Sequence, residues 1–122
     1  MSMIAIGFYF LALIHLLPAL AAMSPRQLTT LYGVAPDDKV LTTLLQHRAV
    51  LLGLVGAAFI AGAFLPGLRW AALIGGSISM VGFLLIALIN GELSGPLKKI
   101  SIVDAAGLPV AVILFFLLSK GP

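Results

Sequence analysis

Residues 70–89 read WAALIGGSISMVGFLLIALI, a stretch of 20 residues without a charged side chain. A helix needs about 20 apolar residues to cross a hydrocarbon core of roughly 30 Å, so this stretch alone predicts a transmembrane helix. Membrane strands alternate apolar and polar residues, whereas this block is continuously apolar, which disfavours a barrel. The fold therefore depends on how many such blocks the chain contains.

Three further apolar blocks accompany this one, and together they predict spans at about 4–23, 47–65, 70–90 and 100–119. The chain of 122 residues is 61% hydrophobic and 9% charged, whereas soluble domains carry roughly 25% charged residues. We predict an all-α protein, with residues 1–122 forming one membrane domain built as a bundle of four transmembrane helices. No Lys or Arg precedes the first block, so we expect a permanent helix there rather than a cleaved signal peptide.

The connection between the first two spans predicts structure of its own. Ser24 and Pro25 are typical of a helix start, and Gly33 is typical of a helix end. One face of this segment carries Leu28, Leu31 and Tyr32. We expect a short amphipathic helix at the membrane interface. Asp37 and Asp38 can then cap a new helix that runs without a breaker into the second span and protrudes from the bilayer.

Lys and Arg residues near the ends of the spans predict the orientation. Five of them fall on one side of the membrane: Arg26, Lys39, Arg48, Lys98 and Lys99. The other side receives Arg69 and Lys120. Because the positive side is usually cytoplasmic, we expect both termini to face the outside or the periplasm. The net charge of +3 is too scattered to indicate a nucleic-acid partner.

Small residues form a stripe on each of two spans and predict close helix contacts. Span two carries Gly53, Gly56, Ala57 and Ala61, and span three carries Gly75, Ser79 and Gly82. Tight packing within one bundle is the favoured interpretation, and the seam of a homodimer is the alternative.

Polar residues inside a span are costly, so each one is a functional candidate. They are His15 in span one, His47 and Arg48 at the start of span two, Asn90 and Glu92 at the end of span three, and Asp104 near the start of span four. An up-down bundle brings all these positions to one half of the membrane. The sequence thus predicts a polar pocket open to the cytoplasmic side. In the alternative, Arg48 and Asp104 form a buried ion pair and His15 bonds to a backbone carbonyl.

Two sets of site residues follow, depending on what the pocket does. The predicted ligand-binding residues are His15, His47, Arg48, Asn90 and Asp104. If the protein is an enzyme, the catalytic residues are His15, Asp104 and Glu92, which could share acid and base duties in an isomerisation. Arg48 could hold a carboxylate, phosphate or enolate oxygen.

We predict no metal site, since the two histidines lack a diagnostic spacing. We also predict no cofactor, because the chain has no cysteine, no Gly-rich phosphate loop and no dinucleotide fingerprint.

Three segments resemble a group of small bacterial four-helix membrane proteins, broadly the DoxX-like families. These are Leu13–Pro18 (LIHLLP), Leu31–Val34 (LYGV) and Leu45–Gly53 (LQHRAVLLG). The resemblance implies an inner-membrane accessory subunit or a handler of hydrophobic small molecules. The residues that match the sequence pattern of these families are His15, His47 and Arg48. Some members are labelled phosphopantetheine adenylyltransferase, an activity that needs a soluble phosphate-binding fold lacking in this sequence.

The leading functional hypothesis is a membrane protein that binds or handles a lipophilic small molecule through its polar head. The second is a small membrane enzyme that acts on a lipophilic substrate. The third is a proton-coupled transporter, which is disfavoured because span one carries His15 where a carboxylate would be expected. The expected partners are membrane lipids, the lipophilic molecule, and either a second copy of the chain or another membrane subunit.

Overall fold

The computed structural model describes residues 2–33, 37–95 and 97–120. These residues form helices, turns and short connections with no strand, which confirms the predicted all-α class. The helices are α1 (Met3–Ala21), α2 (Pro25–Tyr32), α3 (Lys39–Phe64), α4 (Arg69–Ile89) and α5 (Lys98–Ser119), with a 3₁₀ turn at Pro66–Leu68. As predicted, α1, α3, α4 and α5 are each long and apolar enough to cross a membrane.

Side-chain caps fix where two of the long helices begin. The Ser2 hydroxyl accepts a hydrogen bond from the Ala5 N–H at 3.1 Å, and the Asp38 carboxylate accepts one from the Leu41 N–H at 3.1 Å. Helix α3 therefore begins at Lys39, upstream of the apolar block that predicted the span. Its 26 residues extend over roughly 39 Å at about 1.5 Å per residue, so the helix exceeds a core of about 30 Å.

The four long helices form a closed ring. Each packs against the next one along the chain, and α1 completes the ring against α5. The core is centred on two fully buried aromatic rings, Phe8 and Phe59, whose centroids lie 6.1 Å apart. Leu11, Leu73 and Met80 are buried around them. The end of α1, the start of α3, the end of α4 and the start of α5 consequently meet at one end of the bundle.

The predicted small-residue stripes are used only in part for packing between helices. At Gly56 a Cβ atom would lie 2.7 Å from the Leu16 Cγ, so α1 and α3 approach closely there. Three stripe glycines have no heavy atom within 4 Å of a Cβ position: Gly53, Gly75 and Gly82. Instead, Gly76, which belongs to neither predicted stripe, packs its backbone directly against the Phe59 ring.

Helix α2 lies against the end of the bundle where those helix termini meet. It begins after Ser24, whose side chain makes no capping hydrogen bond, and it ends at Gly33, which adopts the left-handed conformation at φ 68°. Leu28 and Tyr32 are buried in a cluster with Ala22, which directly follows α1, and with residues of α3 and α5. The side chain of Leu31, predicted on the same face, lies outside the described residues. The two described residues of this face, Leu28 and Tyr32, are thus covered by protein.

The opposite end of the bundle is closed by the tight turn between α3 and α4. Arg69 donates from Nε to the Gly62 carbonyl at 2.8 Å and from Nη2 to the Ala63 carbonyl at 3.2 Å. These carbonyls lie in the last turn of α3, where intrahelical donors run out. The Arg69 side chain therefore caps the C-terminal end of α3.

Candidate functional site

His15, Arg48 and Asp104, all predicted as site residues, line one cavity inside the bundle. They come from α1, α3 and α5, close to the end that α2 covers. The remaining lining residues are Ile14, Pro18, Leu52, Lys99, Ile100 and Val103. We call this space the polar cavity. Its volume is about 70 Å³, and since one water needs roughly 10–15 Å³, it can hold a few waters or one polar group of a ligand.

The His15 ring is almost completely buried, with 2% of its surface exposed. Its Nδ1 lies 2.8 Å from the Leu11 carbonyl oxygen, and because a carbonyl can only accept, Nδ1 must carry a hydrogen. The ring also packs against Phe59, with centroids 5.2 Å apart. The predicted bond to a backbone carbonyl is therefore present, but it uses only one of the two ring nitrogens.

The second nitrogen of His15, Nε2, is buried and has no hydrogen-bond partner within residues 2–33, 37–95 and 97–120. In the neutral ring with a hydrogen on Nδ1, Nε2 is an acceptor with a free lone pair. Nearly all buried polar atoms in folded proteins have a partner, so an unpaired one in a side chain that lines a cavity is a candidate to bind a water or a ligand. Nε2 is suited to a ligand that donates an O–H or N–H hydrogen.

Arg48 contacts aromatic side chains and not the carboxylate that the sequence suggested. Its Nη1 donates to the Tyr32 hydroxyl at 2.7 Å, and its guanidinium carbon lies 5.0 Å from the centre of the Phe83 ring. In the part of the chain that the structure describes, Arg48 makes no ion pair with Asp104. The cation is instead held by one hydrogen bond and by the faces of two aromatic rings.

Asp104 is the carboxylate of the polar cavity and is 9% exposed. Its side chain makes no hydrogen bond to any of the residues described by the structure. The nearby Ser101 hydroxyl donates to the Leu97 carbonyl at 3.0 Å. The side chains that line the cavity thus combine a carboxylate without a hydrogen bond and an imidazole with one unpaired nitrogen, beside the cationic side chains of Arg48 and Lys99.

Pro18 also lines this cavity, and because proline has no N–H it does not donate the usual helical hydrogen bond to the Ile14 carbonyl. The side chains that line the cavity provide two acceptors for a ligand, the Nε2 of His15 and the Asp104 carboxylate.

The structure places the other predicted residues outside the polar cavity. His47 is exposed. Adjacent residues of a helix point about 100° apart, so His47 faces outward while Arg48 faces the cavity. Asn90 and Glu92 are also exposed. Gly91 adopts φ 71°, and the Glu92 N–H donates to the Ala87 carbonyl at 2.8 Å, a bond typical of a helix ending in a Schellman motif. Asn90 and Glu92 thus terminate α4 and do not line the predicted site.

Three residues that the sequence did not nominate contribute to the site. Tyr32 binds Arg48, Phe59 packs against His15, and Lys99 lines the polar cavity. Lys99 could have been found, because it precedes Asp104 by little more than one helical turn at the same end of the bundle. No sequence pattern links Tyr32 or Phe59 to the site, since their roles depend on contacts between different helices.

Among the residues described, no group of three His, Asp or Glu side chains is arranged to hold a metal ion. Comparison of the chain with protein-family models, curated proteins and solved structures found no match. The functional argument consequently depends on the geometry of the polar cavity.

Proposed function

We propose that the protein binds the polar head of a lipophilic small molecule in the polar cavity. The observation that carries this proposal is the buried, unpartnered Nε2 of His15 beside a space that can admit a polar group. Leaving a buried polar atom unpaired costs about 1–3 kcal/mol, and a bound donor removes that cost. The free carboxylate of Asp104 in the same cavity adds a second acceptor for the same head.

The size of the polar cavity supports a ligand with two distinct parts. Pockets that enclose a whole drug-sized ligand have volumes of roughly 300–1,000 Å³, whereas this cavity has about 70 Å³. A head of a few heavy atoms fits inside, and the body of the molecule then lies outside, among helix surfaces that are already apolar. The ligand is therefore amphiphilic and reaches the protein from the membrane.

We place the protein in a bacterial inner membrane with both termini in the periplasm. The Lys and Arg distribution supports this orientation, and the resemblance to the DoxX-like families supports the bacterial inner membrane. In this orientation α2 lies at the cytoplasmic interface, with Arg26 and Gln27 exposed on its outer face. Membrane lipids surround the bundle, and the protein serves as a binder or as an accessory subunit of a larger membrane assembly.

An acid–base enzyme is the second candidate, because His15 and Asp104 line the same cavity. Either side chain could take a proton from a bound head while the other returns one. Glu92 has no part in this scheme, since it lies in the loop after α4. The enzyme proposal fails if His15→Ala leaves unchanged any turnover that is assigned to the protein.

Identification of a co-purifying molecule tests the proposed function. The protein is released from membranes in a mild detergent, weighed intact by native mass spectrometry, and extracted so that any bound molecule can be identified. We expect one bound molecule per chain in the wild type. Asp104→Asn, which keeps the shape but removes the charge, should lower the occupancy by roughly tenfold or more.

Glu92→Gln is the matched control, because it makes the equivalent change at an exposed carboxylate outside the cavity. We expect it to keep the bound molecule at the wild-type level. Equal occupancy in both variants would contradict the proposal. So would a wild-type particle that stays empty after it is incubated with a total lipid extract.

A further inference from the structure

A groove between α3 and α4 lies next to the polar cavity and opens to the outside of the bundle. Its volume is about 340 Å³. Arg48 and Leu52 line both the groove and the cavity, so these two side chains lie between the two spaces. Phe83, whose ring makes a cation–π contact with the Arg48 guanidinium, also lines the groove. A molecule whose head contacts Arg48 can therefore extend its body along this groove.

Arg48 indicates the charge of that head. A guanidinium has five N–H donors, and within the described residues Arg48 uses one of them, toward Tyr32. Among the described residues Asp104 interacts with it electrostatically but makes neither an ion pair nor a hydrogen bond with it, and the helix is long and apolar enough to span a membrane. Arginine at such positions is normally paired at contact distance, and its planar fork matches a carboxylate or phosphate. An anionic oxygen on the ligand would supply the contact that Asp104 does not make.

The groove is suited to a hydrocarbon chain. From Arg48 to Val55 it follows α3 for roughly 10 Å at about 1.5 Å per residue. Gly82 lines it from the α4 side, and no heavy atom stands within 4 Å of a Cβ position there, so no side chain blocks it. On a helix that crosses the bilayer, such an apolar outer groove faces lipid, and a hydrocarbon chain is the occupant that matches it.

We propose that the ligand is an anionic amphiphile whose head carries one ionised oxygen and one O–H or N–H donor, and whose hydrocarbon chain lies in the α3–α4 groove. This inference rests on the proposed function of the polar cavity. The ionised oxygen accepts from Arg48, and the donor binds the Nε2 of His15 or the Asp104 carboxylate. A monoalkyl phosphate in its monoanionic form has both features, and so does a phospholipid with a hydroxylated head group.

Photolabelling with a defined probe tests where the chain lies. The probe is dodecyl phosphate with a diazirine in its alkyl chain, added to the protein in nanodiscs of phosphatidylcholine. We expect the label to concentrate on peptides that line the groove, including those with Val55 and Phe83. The control probe is the corresponding dodecanol with the same diazirine, which lacks the anion and should label all lipid-facing helices evenly. Even labelling by the phosphate probe would overturn the inference.

Two glycines on α4 provide matched variants. Gly82→Leu places a side chain in the groove, whereas Gly75→Leu makes the same change at another open position that does not line it. Neither change meets a neighbouring atom within 4 Å of the new Cβ, so both variants should fold. We expect Gly82→Leu to lower groove labelling by roughly tenfold, because the leucine side chain displaces about two CH2 groups of the probe's alkyl chain from the groove. Equal labelling in the two variants would refute the placement of the hydrocarbon chain in the groove.

Three variants of the polar cavity separate failure of the groove from failure of the proposed function. Groove labelling should fall in Arg48→Gln, His15→Ala and Asp104→Asn. If labelling is even over all faces while these variants still lower binding of the probe, the hydrocarbon chain does not lie in the groove, but the head still binds in the polar cavity. If the groove is labelled equally in all three variants, the polar cavity does not hold the head and both proposals fall.

Competition then distinguishes two sources of the same head chemistry. Phosphatidylglycerol is included in the nanodisc during photolabelling with the phosphate probe. Displacement of the probe assigns the site to a phospholipid, and persistence of the label assigns it to a single-chain phosphate. Displacement by an equal amount of diacylglycerol, which has the hydroxyl but no anion, would contradict the assignment of an anionic head.

Discussion

Adjacent glycines on α4 face opposite environments, and substitution of each by alanine measures the packing that positions His15. A Cβ atom at Gly76 would overlap the Phe59 ring, with the ring atom Cε2 at 2.6 Å. The Phe59 ring is fully buried and packs between Phe8 and His15, at centroid distances of 6.1 and 5.2 Å. It cannot move aside without disturbing one of them. At Gly75 the new Cβ meets no heavy atom within 4 Å.

The expected free energies follow from two effects. Overpacking of a filled core costs about 1–3 kcal/mol, and replacing Gly by Ala in a helix gains up to about 1 kcal/mol. Gly75→Ala has only the second effect, so it should leave the stability unchanged or raise it slightly. Gly76→Ala has both effects. Because the helix gain is common to the two variants, Gly76→Ala should be less stable than Gly75→Ala by about 1–3 kcal/mol.

The assay is reversible unfolding in mixed micelles, with the fraction of sodium dodecyl sulfate increased and the loss of structure followed by circular dichroism. Both variants and the wild type are measured under the same conditions. Gly76→Ala should unfold at a clearly lower detergent fraction than Gly75→Ala. Equal midpoints would refute the packing of Phe59 against α4, and with it the argument that the core holds the His15 ring in place.

The remaining predictions concern the bundle and its orientation. Gly56→Leu should impair folding, because a Cβ there already lies 2.7 Å from the Leu16 Cγ, whereas Gly53→Leu, at an open position, should express and unfold like the wild type. Tyr32→Phe should lower the free energy of unfolding by about 1.5–3 kcal/mol, as it removes the acceptor of a partly buried bond from a cation; an unchanged detergent midpoint would contradict this. Arg69→Met should destabilise by about 1–3 kcal/mol in the same assay, because the last carbonyls of α3 lose two donors. A reporter enzyme fused to the C-terminus should be active only in the periplasm, and cytoplasmic activity would reverse the proposed orientation.

The sequence was sufficient to predict the helices, because a spanning helix must be apolar along its whole length. The uninterrupted block at 70–89 corresponds closely to α4 (Arg69–Ile89). The capped start of α3 was also predictable, since Asp38 precedes a helical segment without a breaker. The environment of α2 was not predictable, because an amphipathic face looks the same whether lipid or protein covers it. In the structure Leu28 and Tyr32 are buried against the bundle.

The position of the polar residues along the bundle was predictable, but their directions around the helices were not. His15, Arg48 and Asp104 do converge on one cavity, as their common depth suggested. His47 and Glu92 lie at similar depth but outside it, because depth depends only on position along the chain. Which side of a helix faces the interior depends on packing between helices, and an evenly apolar span gives no periodic signal for it.

The occupancy of the polar cavity in two histidine variants tests the central claim most directly. His15→Ala removes the buried acceptor that lines the cavity, and His47→Ala makes the same change at an exposed position outside it. Each variant and the wild type are weighed intact by native mass spectrometry after release in the same mild detergent. We predict one bound molecule in the wild type and in His47→Ala, and a largely empty particle in His15→Ala. Full occupancy in His15→Ala, or the same loss in both variants, would contradict the binding of a polar head at His15.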